Sequence, residues 1–147
     1  MKDRPGVIAP PPLLFLVFFI AGWLAGDVLP PYHANVAATV LAIFSAALMS
    51  WAFITMHRAR TNIDPYKPAT TVVTTGPFRF SRNPIYLSMN GLYVAAALRT
   101  GSMSSLVLLP VANVILHFGV IRREERYLEQ KFGAAYRVYR AKVRRWL

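Results

Sequence analysis

Glu124 and Glu125 are adjacent carboxylates with different neighbours. If a helix runs through them, Glu125 has Arg122 three residues behind it, the ordinary pairing of a helix surface. Glu124 has Val120 and Ile121 behind it and Tyr127 and Leu128 ahead, which puts it on the apolar face with no basic partner nearby in sequence. A carboxylate in that position needs a counterion from elsewhere or has a raised pKa, and a bound cation would satisfy it. Helical spacing also gathers other polar groups. Asn113, His117 and Glu124 fall on one stripe with Val120, and Tyr86, Asn90 and Tyr93 fall on another. Polar groups on such stripes either join helices by hydrogen bonds or line a site.

Upstream, Asn83-Pro84 reads as a helix start, with Asn as N-cap and Pro as the first helical residue. A helix N-terminus offers free N–H groups and a positive dipole end, suited to a carboxylate or phosphate. Alone, the pair reads first as a well-capped helix and nothing more. The segment before it, Thr61-Asn62-Ile63-Asp64-Pro65-Tyr66-Lys67-Pro68, carries turn chemistry. Thr70-Thr71-Val72-Val73-Thr74-Thr75 reads as extended and β-branched, closed by Gly76-Pro77.

The elements that must position these residues are apolar. The chain has 147 residues, 55% of them hydrophobic, with mean hydropathy +0.37 and 17 Lys+Arg against 6 Asp+Glu. In a soluble protein that charge would suggest nucleic acid. Here the basic residues cluster at the ends of apolar runs, the pattern of a membrane protein facing anionic headgroups, and no nucleic-acid partner is expected. There is no cysteine, which excludes disulfides, thiolate metal sites and Cys nucleophiles. His33, His57 and His117 have no metal-ligand spacing, so no metal is expected.

We expect an all-α integral membrane protein, a single domain over residues 1–147, with about four transmembrane helices and C-terminal amphipathic helices. Prolines bracket a first span over residues 12–29, read as a retained helix because no cleavage site follows it. The second covers residues 34–56, the third 84–98 and the fourth 104–121. The last two are short, which leaves a tilted or re-entrant hairpin through Arg99-Thr100-Gly101 as an alternative. Lys and Arg fall at the N-terminus, in 57–83 and after 121, with only Arg99 elsewhere, so both termini and the central loop are expected in the cytoplasm. In the tail, Tyr136, Tyr139, Val143 and Trp146 share a stripe with Arg137, Arg140, Lys142, Arg144 and Arg145 between them. That pattern predicts interfacial helices over 122–147, broken at Gly133, with aromatic anchors in the headgroups.

Two blocks carry a resemblance. Thr74-Thr75-Gly76-Pro77-Phe78-Arg79-Phe80-Ser81-Arg82-Asn83-Pro84-Ile85-Tyr86, followed by Arg123-Glu124-Glu125-Arg126-Tyr127-Leu128 and Phe132-Gly133-Ala134-Ala135-Tyr136, resembles the isoprenylcysteine carboxyl methyltransferase family, with the phospholipid methyltransferases as relatives. The resemblance covers roughly residues 60–147. It implies S-adenosylmethionine as methyl donor, held at the cytoplasmic face of a bacterial inner membrane and covered by a cofactor loop over 58–83. The donor contacts it implies are Thr70, Thr71, Val72, Val73, Phe78, Asn83, Pro84, Ile85, Tyr86 and Glu124, with Glu124, Tyr86 and His117 as catalytic candidates. Asn83 stands where carboxyl-methylating members usually have His, and Val120 where they have a substrate-side Arg. The expected acceptor is therefore a membrane lipid or small apolar molecule arriving from the bilayer. Two other readings are a non-catalytic adaptor binding anionic lipid or a partner through the basic tail, and a reductase using a nicotinamide cofactor.

Overall fold

The computed structural model describes residues 5–26, 30–64 and 66–147, and these contain helices and no strand. The long elements are α1 (Pro11–Leu24), α2 (Asn35–Arg58), α3 (Pro84–Thr100) and α4 (Met103–Leu116). A π-helical turn (His117–Ile121) leads without a break into α5 (Arg122–Phe132), and α6 (Ala134–Lys142) follows. Proline occupies the first turns of α1 and α3, where its missing N–H costs no helical bond. Residues 70–75 pair with no neighbouring strand and lead into a short 3-10 helix, Gly76–Arg79.

The helices bury small and hydroxyl residues at several of their contacts and leave many large apolar side chains on the outside. α2 lies against α3 and α1 against α4. Ser45, Ser88, Ser102 and Ser105 are buried between them, whereas Val36 is 79% and Phe44 71% exposed. Small and hydroxyl residues let backbones approach. A Cβ on Gly22 would lie 2.6 Å from Ser105 Cα, and Ser105 Oγ donates to Phe19 O at 3.0 Å. Lipid gives apolar side chains no reason to turn inward, so such interfaces rest on close packing and interhelical hydrogen bonds. α2, with 24 residues, and the continuous helix Met103–Phe132, with 30, are long and apolar enough to cross a bilayer. The apolar part of the latter ends at Ile121, ahead of Arg122 and Arg123. α1 has 14 residues and α3 has 17. At 1.5 Å per residue these reach about 21 and 26 Å, against a hydrocarbon core of about 30 Å. The expected end of the first span, at residue 29, lies outside the described residues.

All four long helices run between the same two ends. At one end Ala34 N donates to Leu98 O at 3.3 Å and Ser104 Oγ to Gly26 O at 2.8 Å, which brings the α1–α2 and α3–α4 connections together. At the other end lie the 59–83 loop, α5 and α6. The N-terminal segment joins them there, with Ile8 N donating to Gly119 O and Arg123 Nη1 to Gly6 O.

The tail differs from the expected surface anchor. Gly133, at φ 52° and ψ −119°, breaks α5 from α6 in a conformation that side chains disfavour. α6 then turns its aromatic face onto the protein: Tyr136 and Tyr139 bury against Ala52 and Phe78, and Tyr139 Oη donates to Phe78 O at 2.7 Å. Val143 is extended, so residues 143–147 leave the helix, and Trp146 packs on a core that includes Phe15 and Tyr86. The expected stripe of lipid-facing anchors is therefore replaced by an intramolecular seam, because α2 and the Phe78 turn offer an apolar surface at the same level.

Candidate active site

A cavity of about 490 Å³ opens at the basic end. Phe53 and Met56 from the end of α2 form one wall and Val72 and Val73 from the loop another. Phe78, the first turn of α3, Glu124, Leu128 and Tyr136 complete it. The loop is tied down around it. Thr70 Oγ1 donates to Arg60 O at 2.7 Å, Thr70 N donates to Thr61 Oγ1 at 3.1 Å, and Ala69 N donates to Tyr127 Oη at 3.2 Å.

Glu124 and Tyr86 meet in this cavity. Tyr86, buried in the first turn of α3, donates its hydroxyl to Glu124 Oε1 at 2.8 Å. Glu124 makes no ion pair among the described residues. Burial pushes its carboxyl up to about 7. The Tyr86 hydrogen bond offsets part of that rise, and the charge of Glu125 adds to it. Behind the pair the stripes of α3 and α4 join: Asn113 Nδ2 donates to Asn90 Oδ1 at 2.6 Å, and Asn90 Nδ2 to Tyr86 O at 2.8 Å. Tyr93 Oη donates to Ser105 O at 2.7 Å, so its polar end is used in helix packing.

Glu125 is not the surface charge that its spacing from Arg122 suggests. It is buried. Arg145 donates to it twice, Nε to Oε1 at 3.0 Å and Nη2 to Oε2 at 2.7 Å, and Arg82 Nη2 lies 3.1 Å from Oε1. Burial alone would raise its pKa, but the Arg145 hydrogen bonds and the charges of Arg82, Arg145 and Arg140 outweigh burial and hold it below the usual value. The reason for the difference is the reversal after α6, which returns Arg145 to the start of α5 from 20 residues away. The same reversal uses up Asn83. Its side chain donates to Arg145 O at 3.0 Å instead of capping α3, and the Arg82 N–H donates to Arg144 O at 3.0 Å.

The other candidates separate by geometry. Thr71, Val72, Val73, Phe78, Asn83, Pro84, Ile85, Tyr86 and Glu124 all line the cavity; Thr70 does not, and its hydroxyl holds the loop instead. His117 lines a different, more open groove with Asn90, Asn113, Phe118 and Trp146. The seven-residue spacing from His117 to Glu124 puts them on one face only in a regular α-helix. The π turn His117–Ile121 adds a residue to the turn and rotates the two faces apart by roughly 100°. Leu128, Tyr136 and Arg82 also line the cavity without having been chosen from sequence. Arg82 could have been found, since it directly precedes Asn83-Pro84.

A helical bundle with large apolar side chains on its outside, two helices long and apolar enough to cross a bilayer, and a half-buried carboxylate in a cavity at its basic end has the make-up of a membrane protein. The family model for phospholipid methyltransferase matches residues 34–135, and the chain belongs to that family. The match includes α2, the loop, α3, α4 and α5, every element that lines the cavity except the N-terminal segment, the first turn of α1 and most of α6. A Haemophilus influenzae protein described as uncharacterized is 40% identical over 63 residues, which is 43% of this chain and the whole of that protein. No solved structure matches the chain.

Proposed function

We propose that this membrane protein transfers a methyl group from S-adenosylmethionine to a membrane lipid or small apolar acceptor. Methyltransferase chemistry in general follows from the family. The observation that carries the choice of donor is Glu124, a carboxylate without a cationic partner among the described residues, held by Tyr86 at the wall of an apolar cavity. The cavity's volume falls in the range of about 300–1,000 Å³ typical of ligand pockets. Its polar groups suit a molecule that carries positive charge and an apolar or aromatic body.

When bound, the donor supplies an electrophilic methyl group on a sulfonium. Glu124 then supplies the negative charge that balances the ligand's ammonium or sulfonium, and Tyr86 fixes the direction of that carboxylate. Phe78 offers a ring for cation–π contact or for stacking. Thr71, Val72 and Val73 line the cavity, and in this reading their backbone groups read the flat heterocycle. Methyl transfer is an in-line displacement, so alignment and the exclusion of water are the protein's main contributions. His117 lies in the separate groove and has no part in this scheme.

The accompanying topology has four spans, with both termini and the loop in the cytoplasm of a bacterial inner membrane. It is supported by the two shared ends of the helices and by the concentration of Lys and Arg at the cavity end. The adaptor reading loses support from the burial of Tyr136 and Tyr139 and the packing of Trp146 on the core, which turns the tail's aromatic stripe onto the protein. Titration of the detergent-purified protein with S-adenosylmethionine by calorimetry is the direct test. The expected result is saturable binding that weakens at least tenfold in Glu124→Ala, the scale of one charge-assisted hydrogen bond. Absence of binding, or affinity indifferent to Glu124→Ala, would overturn the reading.

A further inference from the structure

The Arg82 side chain is 9% exposed and lines the same cavity as Glu124. Among the described residues only one of its guanidinium nitrogens is engaged: Nη2 meets Glu125 Oε1 at 3.1 Å, while Nε and Nη1 are buried with no hydrogen-bond partner there. Glu125 cannot make up the deficit. Arg145 already donates to both of its oxygens, at 3.0 and 2.7 Å, so two guanidinium charges share one carboxylate. Glu124 does not help either, since its hydrogen bond comes from Tyr86 and it has no ion pair with Arg82 among the described residues. The phenol of Tyr136 approaches the Arg82 guanidinium as a hydrogen-bonding neighbour, but it stays outside hydrogen-bond geometry to Nε and Nη1 and brings no negative charge of its own. A buried donor left unpaired costs about 1–3 kcal/mol, and a surplus buried charge costs more. Lys67 also lines the cavity, but it is exposed and hydrated, so an anion gains little there.

We propose that Arg82 is an oxyanion subsite of this cavity, whose two unspent donors take a carboxylate or phosphate of the molecule bound there. The proposal rests on the methyltransferase reading and deepens it. The cavity then has two poles, Glu124 for a cationic group and Arg82 for an anionic one, and selects a ligand carrying both. Two molecules could present the oxyanion: the methyl donor, through the carboxylate of its amino-acid end, or a phospholipid acceptor, through its phosphate.

Paired ligands that differ only in the oxyanion test the proposal and separate the two sources. S-adenosylmethionine is compared with its decarboxylated form, and dihexanoyl phosphatidic acid with dihexanoylglycerol, on the full-length detergent-purified protein. Each pair is titrated into wild type, Arg82→Gln and Arg82→Lys. Arg82→Lys keeps a positive charge beside Glu125, and affinity for the decarboxylated donor reports that the site is intact. If the donor's carboxylate occupies the subsite, wild type prefers S-adenosylmethionine by about tenfold or more. Both variants then lose that preference while binding the decarboxylated form as wild type does. If a lipid phosphate occupies it, the preference for phosphatidic acid is lost instead. Preferences that are absent in wild type, or unchanged in both variants, overturn the subsite. Wild type that binds neither nucleoside overturns the methyltransferase reading itself.

Discussion

With its carboxyl raised to about 7, Glu124 is close to half ionised at neutral pH in the free protein. Binding a cation favours the ionised form, so affinity for S-adenosylmethionine is expected to fall as pH drops below about 7, approaching tenfold per pH unit. Glu124→Gln should bind weakly and show a flat profile between pH 5.5 and 8. A wild-type profile as flat as that of the variant would remove Glu124 from the cation's surroundings. Stability of the free protein follows the opposite course. The folded pKa lies above the ordinary carboxyl value of 4.5, so the folded state holds the proton more tightly. The stability this confers is present below 4.5 and is lost as pH rises through about 7. Relative to Glu124→Gln, the ligand-free wild type should therefore melt at progressively lower temperature over that range. The apolar neighbours Val120, Ile121, Tyr127 and Leu128 made the unusual surroundings of Glu124 legible in the sequence. Those of Glu125 were not, because Arg145 is brought to it by the folding of the tail and Arg82 by the packing of α3 beside α4.

Between the elements, what decides the site is the π turn and the C-terminal return, and neither leaves a local signature. Residues 103–121 read as one uninterrupted apolar helix, so nothing in their pattern announces the extra residue that turns His117 away from Glu124. The return of residues 143–147 hides behind a helical stripe that stops being helical at Val143. Arg145 joins this segment to α5 through Glu125 and to α3 through its carbonyl, which accepts from Asn83 Nδ2 and from Ser81 Oγ at 3.2 Å. Arg145→Ala leaves the carbonyl bonds possible but removes two hydrogen bonds from a buried carboxylate, a cost of about 1–3 kcal/mol. A lower melting temperature in detergent is expected, together with weaker donor binding, because Asn83 directly precedes the first turn of α3, which carries Tyr86. If melting falls while donor affinity stays at the wild-type value, the C-terminal return stabilises the fold without positioning the cavity.

For the whole molecule, helix length and helix direction give different impressions of the membrane. Two helices are long enough to cross, whereas the described parts of α1 and α3 are about 4–9 Å short of a 30 Å core. Yet all four run between the same two ends, and the end opposite the cavity carries Arg99 as its lone Lys or Arg among the described residues. Local thinning of the bilayer accommodates short spans at modest cost, while moving a basic end across the membrane does not come cheaply. Four spans with the cavity end in the cytoplasm satisfy both facts. The natural sequence has no cysteine, so single introduced thiols can report the arrangement without background. Tyr32→Cys, in the α1–α2 connection, should react with a membrane-impermeant maleimide added to intact spheroplasts. Asn62→Cys and Leu147→Cys should react only after permeabilisation. Labelling of Tyr32→Cys and Asn62→Cys from the same side would mean that α2 does not cross, and the four-span arrangement would fall with it.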